Sequence, residues 1–530
     1  MKSKSPSQVR QKNMKTGVIY VYENQPYWCK EKKQGRATRK CIGILDETNN
    51  TIVPTRGRTR KPLESTESFP VAKRKFYGAT YLLDAIGEKL GIIDDLKYCF
   101  PAVYKQILSL AYYLILDDSS SMSRFERWSN LYKHPFGKHI PSQRISELLA
   151  SITESAKTKF FRLQGKRRAE NEYWAYDITS ISSYSEMLKQ VKYGNNKEGD
   201  SLPQINFALV YGDQSELPFY YMKLAGNIPD VKTVKPLLKE LSVMGFTDVK
   251  LSMDRGFYSE SNINDLYKER IKFLIATKTS LSYIRTLIDD VYDDMRSFQN
   301  FNPDNNLYAV TVPAEWEYTQ KRSYKGDTLK EKKRIFVHIY YNHKKASDEE
   351  QNFDKLLITL RNELLSGKRF EKNEKLYDKY FIVSKDNKGD FKVSAQDDVI
   401  KKKKRYCGYF VLLSNEVDDT WKALSLYRNK DVVEKAFCNI KDRLDLRRMS
   451  VSTEKTLDGK LFVGFIALIL LSYINKQMRE KSLYKDHTMQ DLFDQLDAIE
   501  HLEYEGKKPW VSVVLEKQKK IYENLEVNSL

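Results

Sequence analysis

Three carboxylates have the surroundings of a reacting centre: Asp177 in YDITSIS, Asp254 in LSMDRGFYS and Glu434 in YRNKDVVEKAFCNIK. Along a strand, side chains alternate between faces. In the first segment Trp174, Tyr176 and Ile178 share one face, and Ala175, Asp177 and Thr179 the other. In VKLSMD, Val249, Leu251 and Met253 point one way, and Lys250, Ser252 and Asp254 the other. Each aspartate therefore falls on the less apolar face of a predicted core strand, in the middle of the first and at the C-terminal end of the second. A carboxylate there needs a partner. Glu434 lies in a helical pattern in which Tyr427, Lys430, Glu434 and Lys441 share a face opposite Val433, Phe437, Ile440 and Leu444. If that helix docks beside the strands, three carboxylates meet, and their mutual repulsion calls for divalent cations. Mg²⁺, with Mn²⁺ as a substitute, takes such oxygen ligands together with phosphate oxygens. Two ions about 4 Å apart serve in-line displacement at a phosphodiester, and Lys430 and Lys441 suit nearby phosphates as point charges. Each carboxylate alone is more ordinarily a cap or an ion-pair member, so the reading rests on their combination.

The elements that must position these residues have a distinctive order. Residues 172 to 278 read as three antiparallel strands (EYWAYDITSIS, QINFALVYG, LPFYYMKL), a helix, the strand carrying Asp254, a short helix and a last strand, IKFLIATK. That is the order of a ribonuclease-H-like α/β core. Between about 281 and 407 a β-rich stretch follows (LYAVTVPAEWEY, RIFVHIYYN, KYFIVS and DFKVS, the last two joined by DNKG), interrupted by a helix near Glu349 to Leu365. It is expected to be an inserted subdomain ending in the loop KKKKR, after which GYFVLLSN and a long helix from about Asp418 to Leu444 resume the core. Six regions are expected: a basic β meander and linker (1–75), a helical DNA-binding or dimerisation domain (76–165), the core in two parts (166–280 and 408–475), the insertion (281–407) and a C-terminal helical region (476–530). In the meander, ENQP and KKQG are turn signals separating three strands, and Arg56 to Lys75 is a Pro-, Ser- and Arg-rich linker. Around the second turn Lys32, Lys33 and Arg36 are candidate phosphate contacts, with a solvated hairpin tip as the alternative.

Composition narrows the classes. With 41% hydrophobic and 30% charged residues the chain is globular, neither disordered nor fibrous. The excess of 90 Lys and Arg over 71 Asp and Glu, a net +19, favours polyanionic partners. Five scattered cysteines without a C-x-x-C pair exclude a disulfide framework and fit a reducing cytoplasm. MKSKSPSQVRQK has no apolar run behind it, and Leu461 to Ile474, about 14 residues, is expected to be a buried core helix too short to span a bilayer. No H-E-x-x-H or Gly-rich phosphate loop supports zinc or nucleotide chemistry, and Cys438 has no histidine in its segment.

On the three carboxylate segments the chain resembles the bacterial insertion-sequence DDE transposases with a β-rich insertion between the second Asp and the Glu. The last segment of that group runs Tyr, two residues, Arg, three residues, Glu, six residues, Lys; here Tyr427, Glu434 and Lys441 fit, and Lys430 stands at the Arg position. The resemblance covers roughly residues 170 to 475. It implies Asp177, Asp254 and Glu434 as a metal-binding catalytic triad. It also implies that Tyr427, Lys430 and Lys441 hold the strand next to the cleaved bond, and that an aromatic residue of the insertion, Trp316 in VPAEWEY, stacks on an extruded base. The implied function is Mg²⁺-dependent cleavage at terminal inverted repeats to free a 3′-hydroxyl, followed by its attack on target DNA. A homodimeric synaptic complex on the bacterial nucleoid, with no membrane partner, goes with it. A catalytically retired DNA-binding relative and a structure-selective nuclease are the competing readings.

Overall fold

The computed structural model describes residues 6–29, 34–54, 73–117, 121–168, 172–185, 188–197, 199–321, 326–385, 391–449, 451–504 and 508–530. Lys32, Lys33, the DNKG turn and most of the expected linker over 56–75 lie outside the described residues. The chain forms two compact units, Met1–Lys73 with Tyr504–Lys508, and Arg74–Glu503 with Pro509–Leu530.

The first unit is an antiparallel meander of four strands rather than three: β1 (Ser7–Lys12), β2 (Ile19–Cys29), β3 (Gln34–Asp46) and β4 (Thr51–Val53). ENQP is not a turn. Glu23 to Pro26 continue β2, opposite Lys40 to Ala37 of β3. Proline is tolerated because β1 reaches only as far as Asn24, so that β2 is an edge strand at Pro26. Beyond that point β2 and β3 form a two-stranded ribbon carrying exposed Tyr27, Trp28 and Arg36, while exposed Arg39 and Lys40 face Asn24 and Glu23, where β1 still pairs.

β5 (Lys73–Phe76) spans the start of the second unit. Six helices follow: α1 (Gly78–Lys89), α2 (Ile92–Cys99), α3 (Tyr104–Leu116), α4 (Phe125–Leu131), α5 (Ser142–Ser151) and α6 (Glu154–Arg168). Then come β6 (Tyr173–Ser183), β7 (Gln204–Gly212), β8 (Pro218–Ala225), α7 (Val234–Val243), β9 (Lys250–Met253), α8 (Glu260–Lys268), β10 (Lys272–Thr277) and α9 (Ser282–Val291). The next stretch holds β11 (Phe301–Asn302), β12 (Leu307–Lys321), β13 (Thr328–Tyr341), α10 (His343–Leu365), α11 (Glu374–Tyr380), β14 (Phe381–Lys385), β15 (Phe391–Ala395) and α12 (Asp397–Arg405). The chain ends with β16 (Tyr409–Ser414), α13 (Thr420–Arg428), α14 (Asp431–Cys438), β17 (Arg448–Met449), α15 (Glu454–Glu480), α16 (Met489–Asp497), β18 (Glu500–Glu503), β19 (Trp510–Val511) and α17 (Glu516–Asn524).

One large mixed sheet organises this unit, in the order β11-β12-β13-β16-β10-β9-β6-β7-β8, with β17 beside the end of β6. β6, β9 and β10 run parallel, and β7, β8 and β16 antiparallel to their neighbours. Of the four strands expected in the insertion, the first two belong to this sheet as β12 and β13, because β13 pairs with β16, which pairs with β10. The reason lies in β13 itself. Its second half, Ile335 to Tyr341, is buried on both faces and so needs a neighbour on each side, while Thr328 to Arg334 is mostly exposed and meets β12 alone. What stands apart is smaller: α10, α11 and the β14–β15 hairpin close over Phe353, Leu360, Leu364, Tyr377, Tyr380 and Phe381. KKKKR is helical, the end of α12, with Lys404 paired to Asp354 and Arg405 to Asp289.

Leu461 to Ile474 form the middle of the 27-residue α15. By length and composition alone that helix could cross a membrane, but 94% of its apolar window is buried inside the protein. Close approach explains its Gly459: a Cβ there would stand 2.1 Å from the Leu149 carbonyl oxygen of α5.

Two carboxyls are enclosed among the helices. Tyr112 donates to Asp84 (2.7 Å) and Tyr132 to Asp497 (2.6 Å), and the second oxygen of Asp497 is buried without a hydrogen-bond partner among the described residues. Burial pushes Asp84 up to about 6 and Asp497 up to about 7. The folded state therefore keeps protons that the unfolded chain releases from near pH 4, so this stabilisation is complete below that pH and is lost as pH rises through 7. Asp497→Asn keeps a neutral acceptor for Tyr132. It should remove a loss on the order of a few kcal/mol between pH 4 and 8, read as a higher melting temperature than wild type at pH 8 and a similar one at pH 4.5.

Candidate active site

β6 and β9 pair in parallel, with Tyr173 opposite Lys250 and Tyr176 opposite Met253. One step further the same register sets Asp177 beside Asp254. β6 is buried from end to end apart from Asp177, so its one point of solvent access is the carboxylate. Asp177 accepts from the Ile178 N–H (2.8 Å), and Asp254, the first residue past β9, accepts from the Arg255 N–H (2.7 Å).

The helix expected over 418–444 is not continuous. Between α13 and α14 the N–H groups of Lys430, Val432 and Val433 donate to carbonyls three residues back, at 3.3, 3.2 and 2.9 Å, which tightens the turn. After α14 a π-helical turn, Asn439–Arg443, loosens it again. Such departures within a helix recur at functional sites. Here the tight turn re-aims Lys430. Its side chain is buried, with Nζ 3.8 Å from Asp254 Oδ2. Tyr427 donates its hydroxyl to Asp254 Oδ1 (2.8 Å), and its ring lies 5.5 Å from the Lys430 ammonium. α13 packs on β9 and β10, and α14 on β6 and β7. Glu434 is exposed on α14, and Lys441 is half-buried in the π turn.

The electrostatics follow from this packing. Burial raises Asp177, partly offset by the Lys430 charge, the Ile178 N–H and Lys197, while neighbouring Asp254 pushes the same way as burial. For Asp254 burial also acts upward, but Lys430, the Arg255 N–H and the Tyr427 hydroxyl outweigh it and hold the carboxyl below its usual value. Two carboxylates thus share one ammonium. Their oxygen-only donor set, with an opening to solvent at Asp177, fits a hard divalent cation that keeps several waters. Among the described residues no group of three or more His, Cys, Asp or Glu side chains converges on one ion position, so Glu434 is not assembled with the two aspartates.

The structure places the expected strand-holding and stacking residues as follows. Tyr427 and Lys430 both reach Asp254. Trp316 is 8% exposed in the main core, its indole N–H donating to Asn264 (2.9 Å). Sequence reasoning also passed over Lys197, Arg255 and Lys345. Arg255 adjoins Asp254 in the motif itself, whereas Lys345 lies 91 residues along the chain from Asp254 (345 − 254) and gives no local signal.

Removing the shared ammonium should expose the repulsion. Lys430→Met is expected to cost about 1–3 kcal/mol at neutral pH, and Mg²⁺ should raise its melting temperature more than that of wild type. A variant whose melting is indifferent to Mg²⁺ and Mn²⁺ would show that Asp177 and Asp254 do not hold the ion.

The comparisons with known proteins follow this geometry. A cryo-EM structure of a piggyBac transposase synaptic complex with hairpin DNA is similar at 10% identity and a TM-score of 0.32, over 79% of this chain and 76% of that one. No curated protein matches the chain. The family described as the transposase DDE domain matches residues 159–470, more than half of the chain and all three carboxylate segments. The chain therefore belongs to the DDE transposase domain family and is, in general terms, a DNA transposase.

Proposed function

We propose that this transposase binds the terminal inverted repeats of its own element, cleaves there by metal-dependent hydrolysis and joins the freed 3′-hydroxyl to target DNA. The observation that carries this reading is the pair Asp177 and Asp254, side by side on parallel strands at the one solvent opening of β6. The order β8-β7-β6-β9-β10, with only β6, β9 and β10 parallel, supports a ribonuclease-H-like core around that pair. The Tyr427, Lys430, Glu434 and Lys441 spacing supports the insertion-sequence group, with lysine at the arginine position. We assign a homodimeric synaptic complex in the bacterial cytoplasm to the same reading.

Asp177 and Asp254 would hold the cation, with Glu434 supplied from α14, and Mg²⁺ or Mn²⁺ suits their oxygens. When bound, such ions activate the attacking oxygen and stabilise the leaving one at phosphorus. The chain's own contribution is to position and balance charge. Tyr427 fixes Asp254 through its hydroxyl, and Lys430 offsets the two carboxylates. Hydrolysis and strand transfer are both in-line displacements at phosphorus, so one site serves both.

The deciding experiment is cleavage of a labelled duplex carrying the DNA that flanks the gene. Wild type should nick at a defined position in Mg²⁺ but not in EDTA. Glu434→Gln should reduce nicking roughly a hundredfold or more while leaving binding nearly unchanged. Tight binding without cleavage by wild type in either metal would instead favour the retired, DNA-binding reading. The basic ribbon of the first unit is a second DNA contact. Charge reversal at Lys32, Lys33 and Arg36 should weaken binding and flatten its salt dependence, and an unchanged slope would remove these three residues from the interface.

A further inference from the structure

A groove of about 800 Å³ opens at Asp254, with Asp254, Arg255 and Tyr427 in its wall. Lys278, after β10, Lys345 in the first turn of α10, Lys403 near the end of α12 and Arg428 at the end of α13 complete a set of five cations. Against them stand two carboxylates, Asp254 and Glu349. Asp254 is already engaged by Lys430, and Glu349 lies 3.8 Å from Lys345. Among the described residues no carboxylate pairs with Arg255, Lys278 or Lys403. Burial and the neighbouring positive charge of Arg255 both disfavour the Lys345 ammonium. Cations gathered in a cleft without compensating acids form a site for a polyanion.

The walls decide what kind of contact the groove makes. Phe410 is stacked on Tyr340, with ring centroids 4.6 Å apart, and Tyr409 packs on Tyr341 at 4.9 Å. Lys345 donates to the Tyr409 carbonyl oxygen (3.1 Å) and sits 5.3 Å from the Phe410 ring. These rings line the groove but are already partnered, so they are wall rather than stacking platforms. Phosphates, not bases, match what the groove presents. A larger cleft between α7 and α8 also carries Lys232, Lys235, Lys239 and Lys268, but Glu240, Asp265 and Glu269 balance it and neither catalytic aspartate lines it.

We propose that this groove seats the sugar–phosphate backbone of the DNA strand continuing from the reacting phosphodiester, with Arg255, Lys345 and Lys403 as phosphate contacts. The inference rests on the transposase reading. It adds Arg255, Lys345 and Lys403 to the strand contacts that reading gives Tyr427, whose side chain lines the same groove.

The test measures binding of the full chain, in EDTA, to two labelled DNAs, the flanking-end sequence and a scrambled one, across a range of KCl concentrations. Lys345→Gln combined with Lys403→Gln should weaken binding to both about tenfold and lower the slope of log affinity against log salt by about 1.5. Lys235→Gln, in the balanced cleft, should bind as wild type. Because Lys345 is half-buried, Lys345→Arg keeps the charge and should keep the slope; its loss there too would assign the effect to packing and overturn the proposal. If the double variant binds with wild-type affinity and slope while wild type cleaves in Mg²⁺, the groove is not the strand site although the transposase reading stands. Weakening confined to the end sequence would overturn a backbone contact. Wild type that binds neither DNA would overturn the groove and the reading together.

Discussion

The parallel pairing of β6 with β9 sets two like charges side by side, and much of the surrounding structure answers that one constraint. Carboxylates at adjacent strand positions, partly enclosed, repel each other and lose hydration. Neither is removed from the core by a change of register, because a shift of one residue would turn Trp174, Tyr176 and Ile178 out of the hydrophobic cluster they occupy. The balance comes from outside the sheet. A tightened helical turn brings Lys430 and Tyr427 onto Asp254, and local N–H groups serve both carboxylates. The result is asymmetric, with Asp177 raised and Asp254 lowered, because Asp254 takes the greater share of the donors.

That arrangement needs a helix at the right height over the sheet, and the strands between Asp254 and Glu434 help to set it. β16 pairs with both β10 and β13, so the polypeptide returning from α12 is held in the same sheet as the aspartates before it turns into α13. Thr420 at the start of α13 hydrogen-bonds through its side chain to Thr311 of β12, and Tyr340 of β13 donates to the Thr420 carbonyl (2.6 Å). The segment between the second aspartate and the glutamate is thus structural support for the carboxylate pair as well as a source of basic side chains beside it.

Much of this was legible in the sequence because it is carried by local periodicity. Alternation in YWAYDITS and KLSMD placed both aspartates on one kind of face, and the succession of strands and helices from 172 to 278 matches the observed elements. The phase of the following helix was not legible. A tight turn at 429–433 and a π turn at 439–443 each shift which residues share a face, and nothing in the residue types announces them. Trp316 illustrates a second limit: whether a tryptophan in a strand is core or surface depends on what covers it, here Asn264 and Tyr283, which are distant in sequence. ENQP failed as a turn because proline's meaning depends on whether its strand has a neighbour, which is a property of β1 rather than of β2. That β12 and β13 join the main sheet was likewise not legible, since the partner of a long strand is not named by the strand alone.

Lysine at position 430 is more than a stand-in for arginine. A guanidinium offers a rigid fork that can grip a carboxylate through two bonds, whereas an ammonium on a flexible stem makes a point contact. At 3.8 Å from Asp254 Oδ2, Lys430 neutralises charge without saturating the carboxylate. A second cation approaching Oδ2 therefore has only that loose contact to displace, Oδ1 being the oxygen that Tyr427 and the Arg255 N–H hold, and the ammonium can remain close enough to offset charge. The same reasoning separates the two populations of basic residues around Asp254. Lys430 is buried against the carboxylates, whereas Arg255, which also lowers Asp254, is exposed and lines the groove, so it can meet an external polyanion as well.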